Sequence, residues 1–279
     1  MSIFHSKIHF KGKTNIDMGL KVVEFDPIVG ATSGFLGMEP VAVKNFDGSR
    51  DFDFGAKFNE RIKVNMSLIK NDASDFSVEE VRNTLRWISG SRSVAWLDLY
   101  RADNSIDYSI LGRFVEINMQ KMDSRIVGVR VAFQSVSPWA YSAVQTSVHQ
   151  IDGSTLISIQ NDTDDLDACV YPTVIFENTT GNELAITNNS IGKDVTIKNL
   201  AVNETITMDS NQVIHSDNTV KIFGDDFNYE WLMLVPGTNS ITVSGNGILT
   251  ISYRYPIKIG DVAVNISDIL PVCEGGALE

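Results

Sequence analysis

Period-two alternation of apolar and polar side chains recurs through almost all of this 279-residue chain, and few patterns restrict a fold more tightly. Successive side chains of a strand point to opposite faces, so an alternating segment buries one face and wets the other as β-structure. Arg61 to Ile69 is one example: Ile62, Val64, Met66 and Leu68 alternate with Arg61, Lys63, Asn65 and Ser67. In Ile126 to Phe133 the greasier face carries Val127, Val129, Val131 and Phe133, opposite Ile126, Gly128, Arg130 and Ala132. Between such runs stand turn clusters, among them Thr180-Gly181-Asn182, Asn188-Asn189, Asp209-Ser210-Asn211 and Pro236-Gly237. An all-β fold is expected.

One segment breaks the period, Phe76 to Gly90, and it predicts the single α-helix, over 77–89. Ser77 at the N-cap with Glu80 three residues on forms a capping box, and Phe76 is placed to staple onto Val81. Val78, Val81, Leu85 and Ile88 share a face at helical spacing, and Gly90 offers a left-handed stop. Such a helix is expected to cover an open sheet face.

At this length two domains are expected. The boundary falls in Ser137-Pro-Trp-Ala-Tyr-Ser-Ala-Val-Gln-Thr-Ser147, where a strand meets proline and the composition turns small and polar. The reading is an N-terminal domain over 1–142, a linker and lead-in strand over 143–169 resuming near Ser154, a β-sandwich over 170–257 and a weakly ordered tail over 258–279.

Composition narrows the function. The net charge of −12 argues against nucleic-acid binding, which needs clustered Lys and Arg to neutralise phosphates. No segment approaches the ~20 apolar residues that span a bilayer, and the N-terminal stretch lacks a secretion-signal core, so a cytosolic starting point is expected. Cys169 and Cys273 lie far apart without metal-ligand spacing and read as ordinary thiols. His5, His9, His149 and His215 are scattered, and the acidic run Asp162 to Asp167 lacks the mid-loop glycine and terminal glutamate of a helix-loop-helix calcium site. No nucleophile-elbow, phosphate-loop or dinucleotide fingerprint stands in its required context. Neither a metal, a cofactor nor a catalytic residue is expected, and the chain does not read as an enzyme. Tyr229-Glu230-Trp231 continues into Leu-Met-Leu-Val and reads as a core strand; with Tyr253 its aromatics are also the candidates for stacking on a sugar.

The order of motifs resembles the distal tail proteins of phages with long flexible tails. In the N-terminal part it rests on Ile8-His-Phe-Lys-Gly12, the glycine-rich Val29 to Gly37, Asp47-Gly-Ser-Arg-Asp-Phe-Asp-Phe54 and the capped helix before Trp96-Leu-Asp-Leu. Leu111-Gly-Arg-Phe-Val-Glu116 and the ending Phe133-Gln-Ser-Val-Ser-Pro-Trp-Ala-Tyr-Ser142 complete that half. In the second half it rests on Tyr171-Pro-Thr-Val-Ile-Phe-Glu-Asn178 and on Pro236-Gly-Thr-Asn-Ser-Ile-Thr-Val-Ser-Gly245. The resemblance implies a ring-forming β-sandwich-type domain followed by a galectin-like β-sandwich. It further implies a homo-hexameric ring in the virion, assembled in the bacterial host cytoplasm between the tail tube protein and the tail-associated tip protein, with receptor-binding or baseplate proteins docked outside. Asp47, Gly48, Arg50, Phe52 and Phe54 are the candidate interface residues, because Phe52 and Phe54 share a strand face between charged neighbours; a buried core strand is the alternative reading. The competing reading is a carbohydrate-binding adhesion module; a cell-wall hydrolase is the third.

Overall fold

The computed structural model describes residues 6–23, 38–44, 51–58 and 61–259, and the chain divides into two units, Met1–Ala140 with Lys258–Glu279, and Tyr141–Ile257. Both are β-structures, as the alternation predicts.

In the N-terminal unit the sheet is built from β1 (Lys7–Phe10), β2 (Lys13–Thr14), β3 (Leu20–Val23), β6 (Lys63–Lys70), β7 (Ala95–Tyr100), β8 (Ile106–Met122) and β9 (Arg125–Ser135). They lie in the order β2-β1-β7-β8-β9-β6-β3, each neighbour antiparallel. Between β3 and β6, β4 (Met38–Lys44) and β5 (Asp51–Phe58) pair with each other as a separate two-stranded sheet. The register sets Phe114 opposite Phe133. With Phe10 these form a triad of edge-to-face rings, centroids 5.0, 5.9 and 5.1 Å apart, the geometry aromatic quadrupoles favour. Phe10 and Phe133 are fully buried, and each such side chain contributes on the order of 1.5–3 kcal/mol by burial.

The single helix of the described residues, α1 (Val78–Ser89), has the expected capping box: the Glu80 N–H donates to Ser77 Oγ at 3.2 Å and the Ser77 N–H donates to Glu80 Oε2 at 2.8 Å. Its buried face differs from the expected one. Val81, Thr84, Trp87 and Ile88 are buried, while Val78 is 87% exposed. At 100° per residue the buried arc is centred roughly 100° from Val78. The cause is Trp87, whose indole N–H reaches into the sheet and donates to the Phe10 carbonyl at 2.9 Å, so the helix turns its largest ring inward. Gly90 is right-handed, φ −65, rather than left-handed.

The C-terminal unit is organised by two long strands, β11 (Gln145–Asn161) and β17 (Gly237–Tyr253), antiparallel over their full length. The other edge of β17 is shared: residues 241–244 pair with β13 (Glu183–Asn188), and 247–252 pair with β12 (Thr173–Asn178). Beyond β13 lies β14 (Lys193–Lys198), and beyond β12 lie β15 (Thr205–Met208) and β16 (Ile214–Ser216). One ribbon thus serves two sheet branches, which requires it to bend between them. The bend falls where Gly153 opposes Gly245, with φ of +74 and +154, angles that side chains other than glycine's strain to adopt. At Gly247 a Cβ would stand 2.2 Å from the Glu177 carbonyl oxygen and 2.9 Å from the Phe176 ring. The two branches close on one core that includes Phe176, Ile186, Ile197, Val243 and Leu249.

The same ribbon corrects one expectation. Gln145 to Gly153, expected as linker, form the first half of β11 and pair with Gly245 to Tyr253. Their outer face carries Thr146, Val148 and Gln150, all exposed, and the pairing is made by backbone groups, to which side-chain composition is blind. Two short strands, β10 (Ala140–Tyr141) and β18 (Pro256–Ile257), stand where the chain passes between the units. The final residues from 260 onward lie outside the described residues.

Candidate interaction surfaces

Of the five predicted interface residues, Asp47, Gly48 and Arg50 lie outside the described residues. Phe52 and Phe54 fall on β5, where Phe52 is the register partner of Val43 and the pairing shifts between Pro40 and Ala42. The hairpin joins neither large sheet, and Val41 and Val43 on β4 are exposed. Among the described residues it is therefore a separate two-stranded ribbon, with apolar side chains available on one strand.

Sheet register brings His9, Asp98 and Ser109 side by side across β1, β7 and β8, a constellation that their sequence separation hid. His9 Nδ1 lies 3.0 Å from Asp98 Oδ2, and Ser109 Oγ donates to Asp98 Oδ1 at 2.6 Å. The order is wrong for nucleophilic catalysis. A serine nucleophile is activated by donating its hydroxyl proton to the imidazole, whereas here the carboxylate stands between the two and Ser109 is fully buried. The arrangement ties three strands together and satisfies a buried carboxylate.

Among the described residues no three His, Cys, Asp or Glu side chains gather as a metal site would require. In the acidic turn, Asp162 accepts from Gln160 and Asp165 Oδ1 accepts from the Asp167 N–H, so these carboxylates serve the turn itself. An open cleft of about 470 Å³ lies between α1 and the β3 and β6 ends, lined by Asp17, Leu20, Lys70, Phe76, Glu80 and Thr84 among others. Its charges are spent internally: Lys70 Nζ is 2.8 Å from Glu80 Oε1. That contact with Lys70, then the Ser77 N–H, holds the Glu80 carboxyl down to about 2. Such a pair anchors the helix cap to β6 and offers no free acid or base. The Tyr108 hydroxyl is pushed far above its ordinary range, first by burial and then by Asp107, which keeps it neutral.

Two motifs that carried the family resemblance have structural roles. In Pro236 to Gly245, Asn239 is fully buried. Its Oδ1 accepts from the Val235 N–H at 2.9 Å and from Asn188 Nδ2 at 2.9 Å, and its Nδ2 donates to the Val235 and Gly237 carbonyls. Asn188 also donates to the Met233 carbonyl at 2.7 Å, and Asn161 donates to the Leu234 carbonyl at 3.0 Å. Three buried asparagines thereby satisfy the backbone of the irregular segment leading into β17. Within the Ser137 to Ser142 ending, Trp139 is buried with the Lys258 ammonium 5.9 Å from its ring centroid. Ser142 receives the Tyr255 N–H on its hydroxyl while its own N–H donates to the Tyr255 carbonyl.

Tyr229-Glu230-Trp231 is not a core strand. These residues are irregular, Tyr229 is 62% exposed with φ +57, and only Leu232 and Leu234 of the following run are buried. The apolar run suggests a strand, but from Met233 to Gly237 the backbone finds its partners in the buried asparagines and in Val170, which bridges Leu234. Tyr229 leans on Phe227 at 5.3 Å, and Trp231 meets Phe227 edge to face at 5.3 Å. Tyr253, the third candidate, donates its hydroxyl to the Gln160 carbonyl at 2.7 Å.

Comparison with known proteins agrees with this architecture. Residues 5–137 match the family model described as phage tail protein N-terminal domain, and residues 139–253 match the model described as phage tail C-terminal domain. The fold is similar to that of the SPP1 Dit (gp 19.1) protein, presented as a paradigm of the hub adsorption apparatus in phages infecting Gram-positive hosts. That match has a TM-score of 0.59 at 12% identity, covering 89% of this chain and 98% of that one. Chains of the phage P2 baseplate in its activated conformation also match, with Ca at TM-score 0.54 and 8% identity over 91% of this chain and 98% of that one. With Sr the values are 0.52 and 9%, over 92% and 98%. No curated protein sequence matches the chain. With the two models running end to end across both structural units, the chain belongs to this family of two-domain phage tail proteins, with a fold similar to that of the SPP1 Dit protein.

Proposed function

We propose that the protein is the structural hub of a phage tail tip or baseplate, assembling as a hexameric ring between the tail tube protein and the tail-associated tip protein. The observation that carries this reading is the end-to-end match of both tail-protein models to one chain whose fold follows the SPP1 Dit hub protein along 89% of its length. The N-terminal domain, 1–142, forms the ring. The galectin-like sandwich, which with β11 spans Tyr141–Ile257, faces outward and docks receptor-binding or baseplate proteins, so the protein resides in the virion tail after assembly in the host cytoplasm. Its role is mechanical rather than enzymatic.

The β4–β5 ribbon supports the ring reading, because a hairpin outside both sheets with exposed valines is suited to packing on an identical neighbour about a cyclic axis. Asp47, Gly48, Arg50, Phe52 and Phe54 are assigned to that contact. Negative-stain imaging with light scattering tests the proposal: six-fold rings are expected, and a strict monomer at high concentration that does not bind tube protein would overturn it.

A second reading, sugar recognition by the C-terminal unit, is favoured by one observation, the exposed Tyr229 ring at the end of an aromatic ladder. Exposed aromatic faces are where sugars stack. Binding on a glycan array that is lost in Tyr229→Ala is the expected result under this reading, and a silent array removes it.

A further inference from the structure

Edge strands invite pairing, and proteins ordinarily blunt them by shortness or by charge. Four of the sheet ends described here follow that rule. In the N-terminal unit β2 has two residues, one of them Lys13, and β3 has four with Lys21 among them. In the C-terminal unit β14 begins and ends with lysine, and β16 has three residues.

β11 does not follow it. It has 17 residues and pairs with β17 alone, leaving its second edge without a strand among the described residues. Gln145 to Asn161 contain no Lys, Arg or Pro and a single charge, Asp152. Val148 is 63% and Leu156 69% exposed, both on the outer face. On the inner face of the first half, Ser147 Oγ and His149 Nε2 are buried with no hydrogen-bond partner among the described residues, a cost that buried polar groups seldom carry unrelieved.

From this contrast we infer that β11 is a strand-accepting edge, which takes up an extended segment of a different polypeptide by β-augmentation. Backbone pairing supplies the affinity, and alternate side chains of the added strand supply specificity. Outward apolar side chains meet Val148 and Leu156, and an inward polar one meets the Ser147 and His149 pair, at the ~5 Å spacing of cross-strand neighbours. A second copy of β11 is a poor occupant. Antiparallel self-pairing about the central Gly153 sets Val148 against Ser158 and Leu156 against Gln150, and brings the two Asp152 carboxylates close together. The inference rests on the hub reading and names the surface by which the C-terminal unit docks a partner.

The test compares hydrogen exchange of the full-length chain purified alone with the same chain in isolated phage tails. In tails, amides of 145–161 are expected to exchange at least about tenfold more slowly than in the free chain. Val148→Lys with Leu156→Lys, at exposed positions that leave folding intact, is expected to yield tails that contain the chain but lack a peripheral protein. Equal exchange in both states, with full protein composition of the variant tails, overturns the proposal while leaving the hub reading standing. Absence of the wild-type chain from tails sinks the hub reading and this one together. Concentration-dependent association of the isolated chain that the double variant abolishes assigns the edge to a second copy, and overturns it too.

Discussion

The two units bury a sheet face in different ways. The N-terminal unit lays a capped helix on its sheet and locks it with Trp87 and three interlocking phenylalanines. The C-terminal unit bends one long ribbon at paired glycines until its two branches enclose a common core. Aromatic volume therefore specifies the first, whereas backbone freedom and buried asparagines specify the second. The difference teaches that similar alternation is compatible with two unlike ways of closing a core.

The comparison can be broken most forcefully at Phe133. Phe133→Ala removes one ring of the triad and is expected to cost about 3–5 kcal/mol, read by calorimetry, with amide protection lost in the N-terminal sheet and kept in the C-terminal one. Equal loss in both units would show that they do not stand independently.

Next in size is Asn239→Ala. It strands the Val235 N–H and the carbonyls that the side chain satisfies, so about 2–3 kcal/mol is expected. Exchange should accelerate first in residues 231–237. Gly153→Ala sharpens the point at the bend: an L-residue at φ +74 is expected to cost about 1–2 kcal/mol, with no corresponding loss in the N-terminal unit.

At the helix cap the effects are smaller. Ser77→Ala is expected to cost about 1 kcal/mol. The Glu80 carboxyl, held at about 2 by Lys70 and Ser77 against an ordinary 4.5, adds stability that is fully present above pH 4.5. That contribution fades as the pH falls from 4.5 towards 2, because protonation then favours the unfolded chain. In acid titrations of the N-terminal unit, Glu80→Gln should flatten this window; an unchanged profile would remove Glu80 as its source.

Much of this was legible without coordinates. The alternation in Arg61 to Ile69 fixed β6 and its buried face, because a period of two has only one way to place Val64, Met66 and Leu68 against a core. Ser77 and Glu80 located the helix start, since a capping box is satisfied by neighbours three residues apart. The signals failed where partners are distant. Val78 reads as part of the buried stripe because its own helix offers no sign of the Phe10 carbonyl that draws Trp87 inward. Tyr229 to Trp231 reads as a strand because side-chain pattern carries no sign of the positive φ at Tyr229.

The sequence by itself determined the strand periodicity, the helix and its cap, the turn positions and the shortage of basic residues, all of which depend on residues a few positions apart. Only the tertiary structure decided that β11 continues through Gly153, that His9, Asp98 and Ser109 form a tie rather than a triad, and that one 17-residue strand keeps an edge without a partner strand among the described residues. The physical reason is common to all three: strand register and edge position are set by backbone hydrogen bonds between segments far apart in the chain, and side-chain pattern along one segment carries no record of which neighbour, if any, those bonds will find.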